Sequence, residues 1–448
     1  MRIKNLREAV MKTLFISVII ILISSAASFS QSGRFENITV YSPSLEGNLL
    51  GDSTSRGVSV YLPWQYDSIP SARFPVIYML HGYGWTNTSF VNYFNLESNF
   101  NWAFNQSWSV PMIVVIPDNF NFYKGSWYTN SIVTGGWEDF VTQDLIDYID
   151  INYRTLSDRE SRGISGWSMG GYGAITLAMK NPDIYSAVYG LSSANLVSEK
   201  VVLGTMYNYL VFAACVTDSA QFGGLPWQVQ VMIAAGAAFS PNVDPHPFYC
   251  DLPVDCPGNL IDTTWQKWLD YDPYSMIDTY KNNLLQYNGN IRFDCGWYDT
   301  DQYIANCEFD TALTEKNIPH SFFPYDGDHS NKIQERIRWA VIPFFAETLV
   351  DDVESENQNI PNEFMISQNY PNPFNPLTTI KYQVPELSFV TIKVYDVLGD
   401  EISTLVNEEK SIGSYEVEFD GVGLPSGVYF YQLKAGSFVE TKKMILLK

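Results

Sequence analysis

Residues 162–174 read RGISGWSMGGYGA, and the spacing of serine and glycine in this stretch decides the fold class. Gly166, Ser168 and Gly170 form the pattern G-x-S-x-G between an apolar run and a helical pattern. On so sharp a strand-to-helix turn the serine backbone is strained, and side chains two positions away would collide with the adjoining elements. Such a turn holds the hydroxyl clear of the sheet, at a helix N-terminus that favours a developing anion. The stretch therefore predicts that Ser168 is a nucleophile.

Strand-like apolar runs alternate with helical patterns between about residues 31 and 350. The predicted strands are 76–80, 112–116, 162–166, 187–191 and 291–295. Residues 138–150 carry an apolar stripe at helical spacing. Alternation of this kind predicts an α/β fold, in which a doubly wound and mainly parallel sheet is covered by helices.

A serine nucleophile needs a base and an acid that orients the base, and after this kind of turn they follow in the order Ser, Asp or Glu, His. His329 lies in a loop ahead of a predicted helix over 332–345, and catalytic groups gather in such loops. His320 falls within a predicted strand, and His246 lies in an irregular loop with prolines. We therefore expect His329 to be the base.

The acid is expected in the loop that follows the strand at 291–295. Asp299 and Asp301 both lie in that loop. Spacing alone does not choose between them, and at least one is expected to be an ordinary solvated carboxylate.

Two backbone N–H groups are expected to hold the oxyanion. The first belongs to Met169, because this residue directly follows the nucleophile. The second is expected in HGYG at 81–84, after the strand at 76–80, and Tyr83 is the favoured donor. His81 precedes the acid in the chain, so we expect it to be structural.

The character of the sequence changes near residue 350. Residues 351–365 begin with a polar, acidic run and are interpreted as a linker. Beyond them, alternating apolar and polar residues between Gly or Pro turns predict strands at 378–384, 390–395, 415–419 and 428–433. Residues 366–448 are therefore expected to form a small β-sandwich with no catalytic role.

Residues 1–30 have the organisation of a signal peptide. Basic residues precede the apolar run 14–23, and small residues follow it up to Ser30. The run is short for a bilayer span, so cleavage after Ser30 is favoured over an uncleaved anchor. No second run is long enough to cross a membrane, and we expect an exported protein.

Export permits disulfides, and the chain has five cysteines. Cys250 and Cys256 flank a short loop and are the favoured pair, with Cys295 and Cys307 as a second pair and Cys215 free. No C-x-x-C pair or histidine cluster indicates a metal site, and neither a metal nor an organic cofactor is expected. The net charge of −22 argues against nucleic acid or an anionic membrane surface as a partner.

Several motifs together resemble the α/β-hydrolase esterases that include feruloyl and acetylxylan esterases, S-formylglutathione hydrolases and mycolyltransferases. The likeness runs from about Val58 to Phe345 and rests on LHGYG at 80–84, SWY at 126–128, WE at 137–138, SGWSMGGYGA at 165–174, CG at 295–296 and GDH at 327–329. In this family the acid commonly lies three residues after a glycine, which implies Asp299. The chain departs from the family at Trp167 and at the long apolar stretch 197–285, which fits either core packing or a cap over the site.

The tail resembles the C-terminal sorting domain of the type IX secretion system. The likeness covers residues 369–448 and rests on NYPNPFNP at 369–376, YDVLG at 395–399, PSGVY at 425–429 and KKMIL at 442–446. It implies that the secretion machinery is a partner and that the protein is released or attached to the outer cell surface. A carbohydrate-binding module is the alternative for these strands.

These expectations combine into a secreted serine esterase, in which Ser168 attacks an ester carbonyl, His329 moves the proton and Asp299 orients His329. The resemblance implies esterified polysaccharide, carrying feruloyl or acetyl groups, as the substrate. An acyltransferase that uses the same acyl-enzyme is the first alternative, and a surface module without catalysis is the second. No feature of the sequence separates a hydrolase from a transferase.

Overall fold

The computed structural model describes residues 32–106, 109–195, 200–244, 247–349, 364–369, 371–385, 387–410, 413–436 and 438–447. The expected signal peptide and nearly all of the expected linker lie outside these ranges. The chain divides into two compact units between Val350 and Asp351.

A mainly parallel sheet forms the centre of the first unit. The strands of this unit are β1 (Arg34–Tyr41), β2 (Ser55–Leu62), β3 (Val76–Leu80), β4 (Ile113–Pro117), β5 (Asn130–Ser131), β6 (Gly135–Gly136), β7 (Arg162–Trp167), β8 (Ala187–Leu191), β9 (Ile291–Gly296) and β10 (Ser321–Tyr325). Apart from the separate β5–β6 hairpin, they form one sheet in the order β1-β2-β4-β3-β7-β8-β9-β10. β2 pairs antiparallel with β1 and β4, and the remaining pairs are parallel. The predicted α/β fold is therefore confirmed.

Helices cover this sheet. They are α1 (Trp64–Ser68), α2 (Asn87–Tyr93), α3 (Leu96–Phe104), α4 (Trp137–Asp139), α5 (Leu145–Asn152), α6 (Met169–Lys180), α7 (Tyr207–Cys215), α8 (Trp227–Phe239), α9 (Asp262–Leu269), α10 (Pro273–Leu285), α11 (Thr300–Glu315), α12 (Ile333–Arg336) and α13 (Ile342–Thr348). A π-helical turn at Phe140–Asp144 joins α4 to α5, and another at Ile337–Val341 joins α12 to α13. No helix in the described ranges is long and apolar enough to span a bilayer.

The central strands explain why the apolar runs in the sequence are continuous. Every residue of β3, β4, β7 and β8 is buried, because both faces of a parallel sheet are covered. The carboxyl ends of the parallel strands meet at one edge of the sheet. The loops after β3, β7, β9 and β10 therefore come together there.

The second unit is a β-sandwich, as predicted. Its strands are β11 (Met365–Ile366), β12 (Leu377–Val384), β13 (Ser388–Tyr395), β14 (Glu401–Lys410), β15 (Gly413–Asp420), β16 (Gly427–Ala435) and β17 (Phe438–Leu446). They form two sheets, β11-β12-β15 and β14-β13-β16-β17, which share one apolar core. The sequence did not indicate the two-residue strand β11. It also did not indicate β14 and β17. Both are edge strands, and their apolar pattern is interrupted by charged residues.

The cysteine pairing differs from the predicted one. Cys215, at the end of α7, is bonded to Cys256, with Cα atoms 4.6 Å apart, whereas Cys250, Cys295 and Cys307 are free. Nearness in the sequence favoured Cys250 as the partner of Cys256. In the fold, Cys250 packs against Gly236 of α8, whereas Cys256 is bonded to Cys215 at the end of α7. The prediction of a free Cys215 is therefore wrong.

Candidate active site

Ser168 lies on the turn between β7 and α6, with φ of 60° and ψ of −120°. A positive φ is uncommon for a residue with a side chain and costs about 1–3 kcal/mol. The flanking glycines leave room for this turn. A Cβ atom on Gly166 would overlap the carbonyl of Gly170, and one on Gly170 would overlap the carbonyl of Leu80. No side chain fits at either position.

The structure brings Ser168, His329 and Asp299 together in a hydrogen-bonded line. Ser168 Oγ lies 2.9 Å from His329 Nε2, and His329 Nδ1 lies 2.6 Å from Asp299 Oδ2. The Asp299 side chain is 11% exposed and that of His329 is 36% exposed. A hydroxyl, an imidazole and a carboxylate in this order can pass the hydroxyl proton to the ring.

The other candidate residues are not part of this hydrogen-bonded line. Asp301 belongs to the first turn of α11 and lines the cavity beside Ser168. His320 Nε2 lies 2.9 Å from Asp310 Oδ1, and its ring stacks on Phe293. His246 lies outside the residues that the structure describes.

The two residues expected to hold an oxyanion, Tyr83 and Met169, both line the cavity beside Ser168. Met169 is the first residue of α6, so its N–H has no acceptor within the helix. The loop that carries Tyr83 is fixed on its far side, where Gly84 N–H donates to the carbonyl of Lys124 over 2.9 Å. We therefore keep the N–H groups of Tyr83 and Met169 as the proposed donors to an oxyanion.

His81 supports this loop from beneath. It is buried, and its Nε2 accepts a 2.9 Å hydrogen bond from the N–H of Asn119. Its Nδ1 lies 2.9 Å from the carbonyl oxygen of Gly82, to which it donates in the corresponding tautomer. Burial lowers the pKa of His81, so the ring is neutral. Tyr128 donates to the His81 carbonyl over 2.7 Å.

The hydroxyl of Ser168 adjoins a cavity of about 400 Å³. Besides Tyr83, Ser168, Met169, His329 and the second acid candidate Asp301, its walls contain residues that the sequence did not indicate as site residues. They are Trp127, Trp167, Ala194, Thr205, Met206, Tyr209, Trp227, Gln228, Val231 and Gln302. Five of these residues, from Thr205 to Gln228, together with Val231, come from the stretch 197–285. Phe239 and Trp268 of the same stretch are buried in the core. The stretch therefore contributes both to the core and to the cavity wall.

Three polar atoms of the cavity walls lack a partner among the described residues. They are Tyr83 Oη, Trp127 Nε1 and Gln302 Oε1. Burial raises the pKa of the Tyr83 phenol, so it stays a neutral donor. A buried polar group without a partner is costly, by about 1–3 kcal/mol. These three atoms are themselves buried, so they do not face the open volume of the cavity.

A thiol also contacts the acid. Cys295 Sγ lies 3.7 Å from Asp299 Oδ2, the oxygen that faces His329. Burial raises the pKa of Cys295, and the neutral thiol can donate a weak hydrogen bond to the carboxylate.

A strained serine elbow on a mainly parallel sheet, with an acid after β9 and a histidine after β10, defines the α/β-hydrolase class. The chain belongs to the family described as Putative esterase, whose model matches residues 53–333. Residues 368–447 match the secretion system C-terminal sorting domain. The protein is therefore addressed to the type IX secretion system, for release or attachment to the cell surface.

Individual relatives agree with this assignment. An esterase of Mycobacterium tuberculosis is 24% identical over 61% of this chain, and the chain spans only 52% of that relative's length. The S-formylglutathione hydrolase of Mus musculus is 27% identical, and the match covers 61% of this chain and 81% of that relative's length. An endo-1,4-beta-xylanase/feruloyl esterase of Xylanibacter ruminicola is 25% identical over 46% of this chain and 27% of its own. A solved ferulic acid esterase shares the fold, with a TM-score of 0.51 and 20% identity over 71% of this chain and 99% of its own.

Proposed function

We propose that this protein is a secreted serine esterase that hydrolyses carboxylic esters through an acyl-enzyme. The observation that carries the proposal is the line of hydrogen bonds from Ser168 through His329 to Asp299, beside a cavity of about 400 Å³. Membership of the esterase family supports the same class of reaction.

In the proposed reaction, Ser168 Oγ attacks the ester carbonyl while His329 Nε2 takes its proton. Asp299 stabilises the imidazolium, and the N–H groups of Tyr83 and Met169 hold the oxyanion. The intermediate then collapses, the bond to the alcohol oxygen breaks, and His329 returns the proton to the departing alcohol. Water repeats these steps, releases the acid and restores the free serine.

The cavity favours an aromatic acyl group over an acetyl group. Its volume far exceeds that of an acetyl group, and Trp127, Tyr209 and Trp227 provide flat apolar walls. We therefore propose feruloyl-type esters on polysaccharide as the substrates. The xylanase/feruloyl esterase among the relatives supports this choice.

The test is a panel of feruloyl, acetyl and long-chain esters, assayed with the wild type and Ser168→Ala. We expect the feruloyl ester to be hydrolysed fastest, and Ser168→Ala to lower turnover by about 10³-fold or more. Ser165→Ala is the matched control. Ser165 lies on β7, three residues before Ser168, and its hydroxyl donates to the carbonyl of Tyr189 over 2.9 Å, so activity should persist.

Each part of the proposal has its own contrary result. Unchanged cleavage by Ser168→Ala would contradict the assignment of Ser168 as the nucleophile. Fastest cleavage of the acetyl ester would contradict the proposed preference for an aromatic acyl group. If a sugar alcohol is added and most of the acyl group is transferred to it instead of to water, the protein is an acyltransferase.

A further inference from the structure

Trp167 is the last residue of β7 and directly precedes the proposed nucleophile. Its indole N–H donates to the main-chain carbonyl of His329 over 2.8 Å. The indole and imidazole rings also face each other, with centroids 5.3 Å apart and planes inclined by 40°. We infer that Trp167 is a positioning residue that fixes His329 relative to Ser168. This inference rests on the proposed function.

The indole is well placed to act as a rigid support. It is 5% exposed, and its ring stacks on Phe90 and packs edge-on against Phe94, with centroids 6.3 and 5.1 Å away. On another side, a Cβ atom on Gly82 would lie 2.9 Å from the ring. The ring therefore has little room to move, and its N–H keeps a fixed direction.

The loop that carries His329 has few other hydrogen bonds to β7, the strand that precedes Ser168. The carboxylate of Asp328 accepts hydrogen bonds from the N–H groups of Ser330 and Asn331, at 2.9 and 2.8 Å. These bonds shape the turn, but they do not attach it to β7. Within the described part of the chain, the bond from Trp167 is the one hydrogen bond to the main chain of His329.

Loss of this bond should affect the chemical step. Without the indole N–H, His329 still contacts Asp299, but its main chain can shift away from Ser168. A displacement of about 1 Å at a reacting group can lower the rate about 10²-fold. An ordinary core tryptophan would instead act through its apolar area, which another aromatic ring largely replaces.

The test compares Trp167→Phe with Trp85→Phe. The first variant keeps an aromatic ring and removes the N–H donor. The second is a matched control, because Trp85 packs edge-on against Trp167 at 5.9 Å and lies outside the cavity walls. We expect Trp167→Phe to lower kcat, and the rate at which a fluorophosphonate labels Ser168, by about tenfold or more. KM should stay within about twofold, and Trp85→Phe should leave kcat and labelling within about twofold of the wild type.

Thermal midpoints of both variants are measured first, and all assays are run well below the lower midpoint. If Trp167→Phe keeps the kcat and the labelling rate of the wild type, or if Trp85→Phe lowers them as much as Trp167→Phe does, then Trp167 only fills space. If the wild type cleaves no ester, the proposed function fails, and the inference is then decided by proton NMR of the His329 ring. A slowly exchanging Nδ1 proton in the wild type, and its broadening in Trp167→Phe alone, would support positioning. An identical signal in both would overturn it.

Discussion

The two sides of the active-site cavity are built differently. One side is the elbow, formed by β7, α6 and the loop after β3, where Trp167 is 5% exposed and Met169 is fully buried. The other side consists of the π-helical turn Val201–Thr205, α7 and the start of α8, where Trp227 is 62% exposed. Glycines on the elbow side leave no room for a Cβ atom, whereas Gly204 on the helical side has open space around it.

We infer that the two sides of the cavity have different roles. Backbone sterics and buried contacts fix the groups proposed to react, because their geometry must be kept to fractions of an ångström. The helical side lines the cavity with side chains such as Trp227, and we expect it to set the preference for the acyl group. Changes on the elbow side should therefore damage chemistry or folding, and changes on the helical side should be tolerated better.

The largest effect is expected at the acid. Asp299→Asn should lower turnover about 10²–10⁴-fold, because an amide favours the wrong tautomer of His329. Asp301→Asn should change turnover only a few-fold, since Asp301 lines the cavity and Asp299 contacts the ring. Kinetics of both variants on one ester check this, and a crippled Asp301→Asn beside an active Asp299→Asn would reassign the acid.

The elbow itself provides the second contrast. Gly166→Ala should lower the free energy of unfolding by about 3 kcal/mol or more, because the new methyl group meets the backbone of Gly170. Gly204→Ala should leave it unchanged or raise it by up to about 1 kcal/mol, as expected for alanine in a helical turn. Denaturant titrations of the two variants measure this difference. Equal stability of both would refute the steric account of the elbow.

The disulfide gives a smaller effect, confined to the helical side. Cys215→Ser should lower the free energy of unfolding by about 2–4 kcal/mol, because the bond to Cys256 anchors the end of α7. Cys307→Ser serves as the control, since Cys307 is free, and it should be close to neutral. Urea titration without reductant compares them. If Cys215→Ser matches its control, the helical side does not depend on this bond.

The smallest effect is expected for removal of the tail. A chain that ends at Val350 should fold and keep its turnover, because the second unit has its own core and its own sheets. Circular dichroism and ester kinetics of the shortened chain test this. Loss of either property would mean that the hydrolase unit needs the tail.

Local sterics explain which features could be predicted from the sequence. The elbow depends on residues adjacent in the chain, and the buried parallel strands show as continuous apolar runs. The position of Asp299 needed a family resemblance, because Asp299 and Asp301 lie only two residues apart after β9. The partner of Cys215 and the cavity walls Trp127 and Gln302 were missed, because they depend on how distant segments meet in the fold.

The backbone of Ser168 has an evolutionary consequence. At φ of 60° and ψ of −120°, glycine would sit without strain, so Ser168→Gly should yield a protein that is inactive yet more stable by about 1 kcal/mol. Selection for stability alone would therefore favour loss of the hydroxyl. The serine can persist at this position only while its reactivity confers an advantage on the organism.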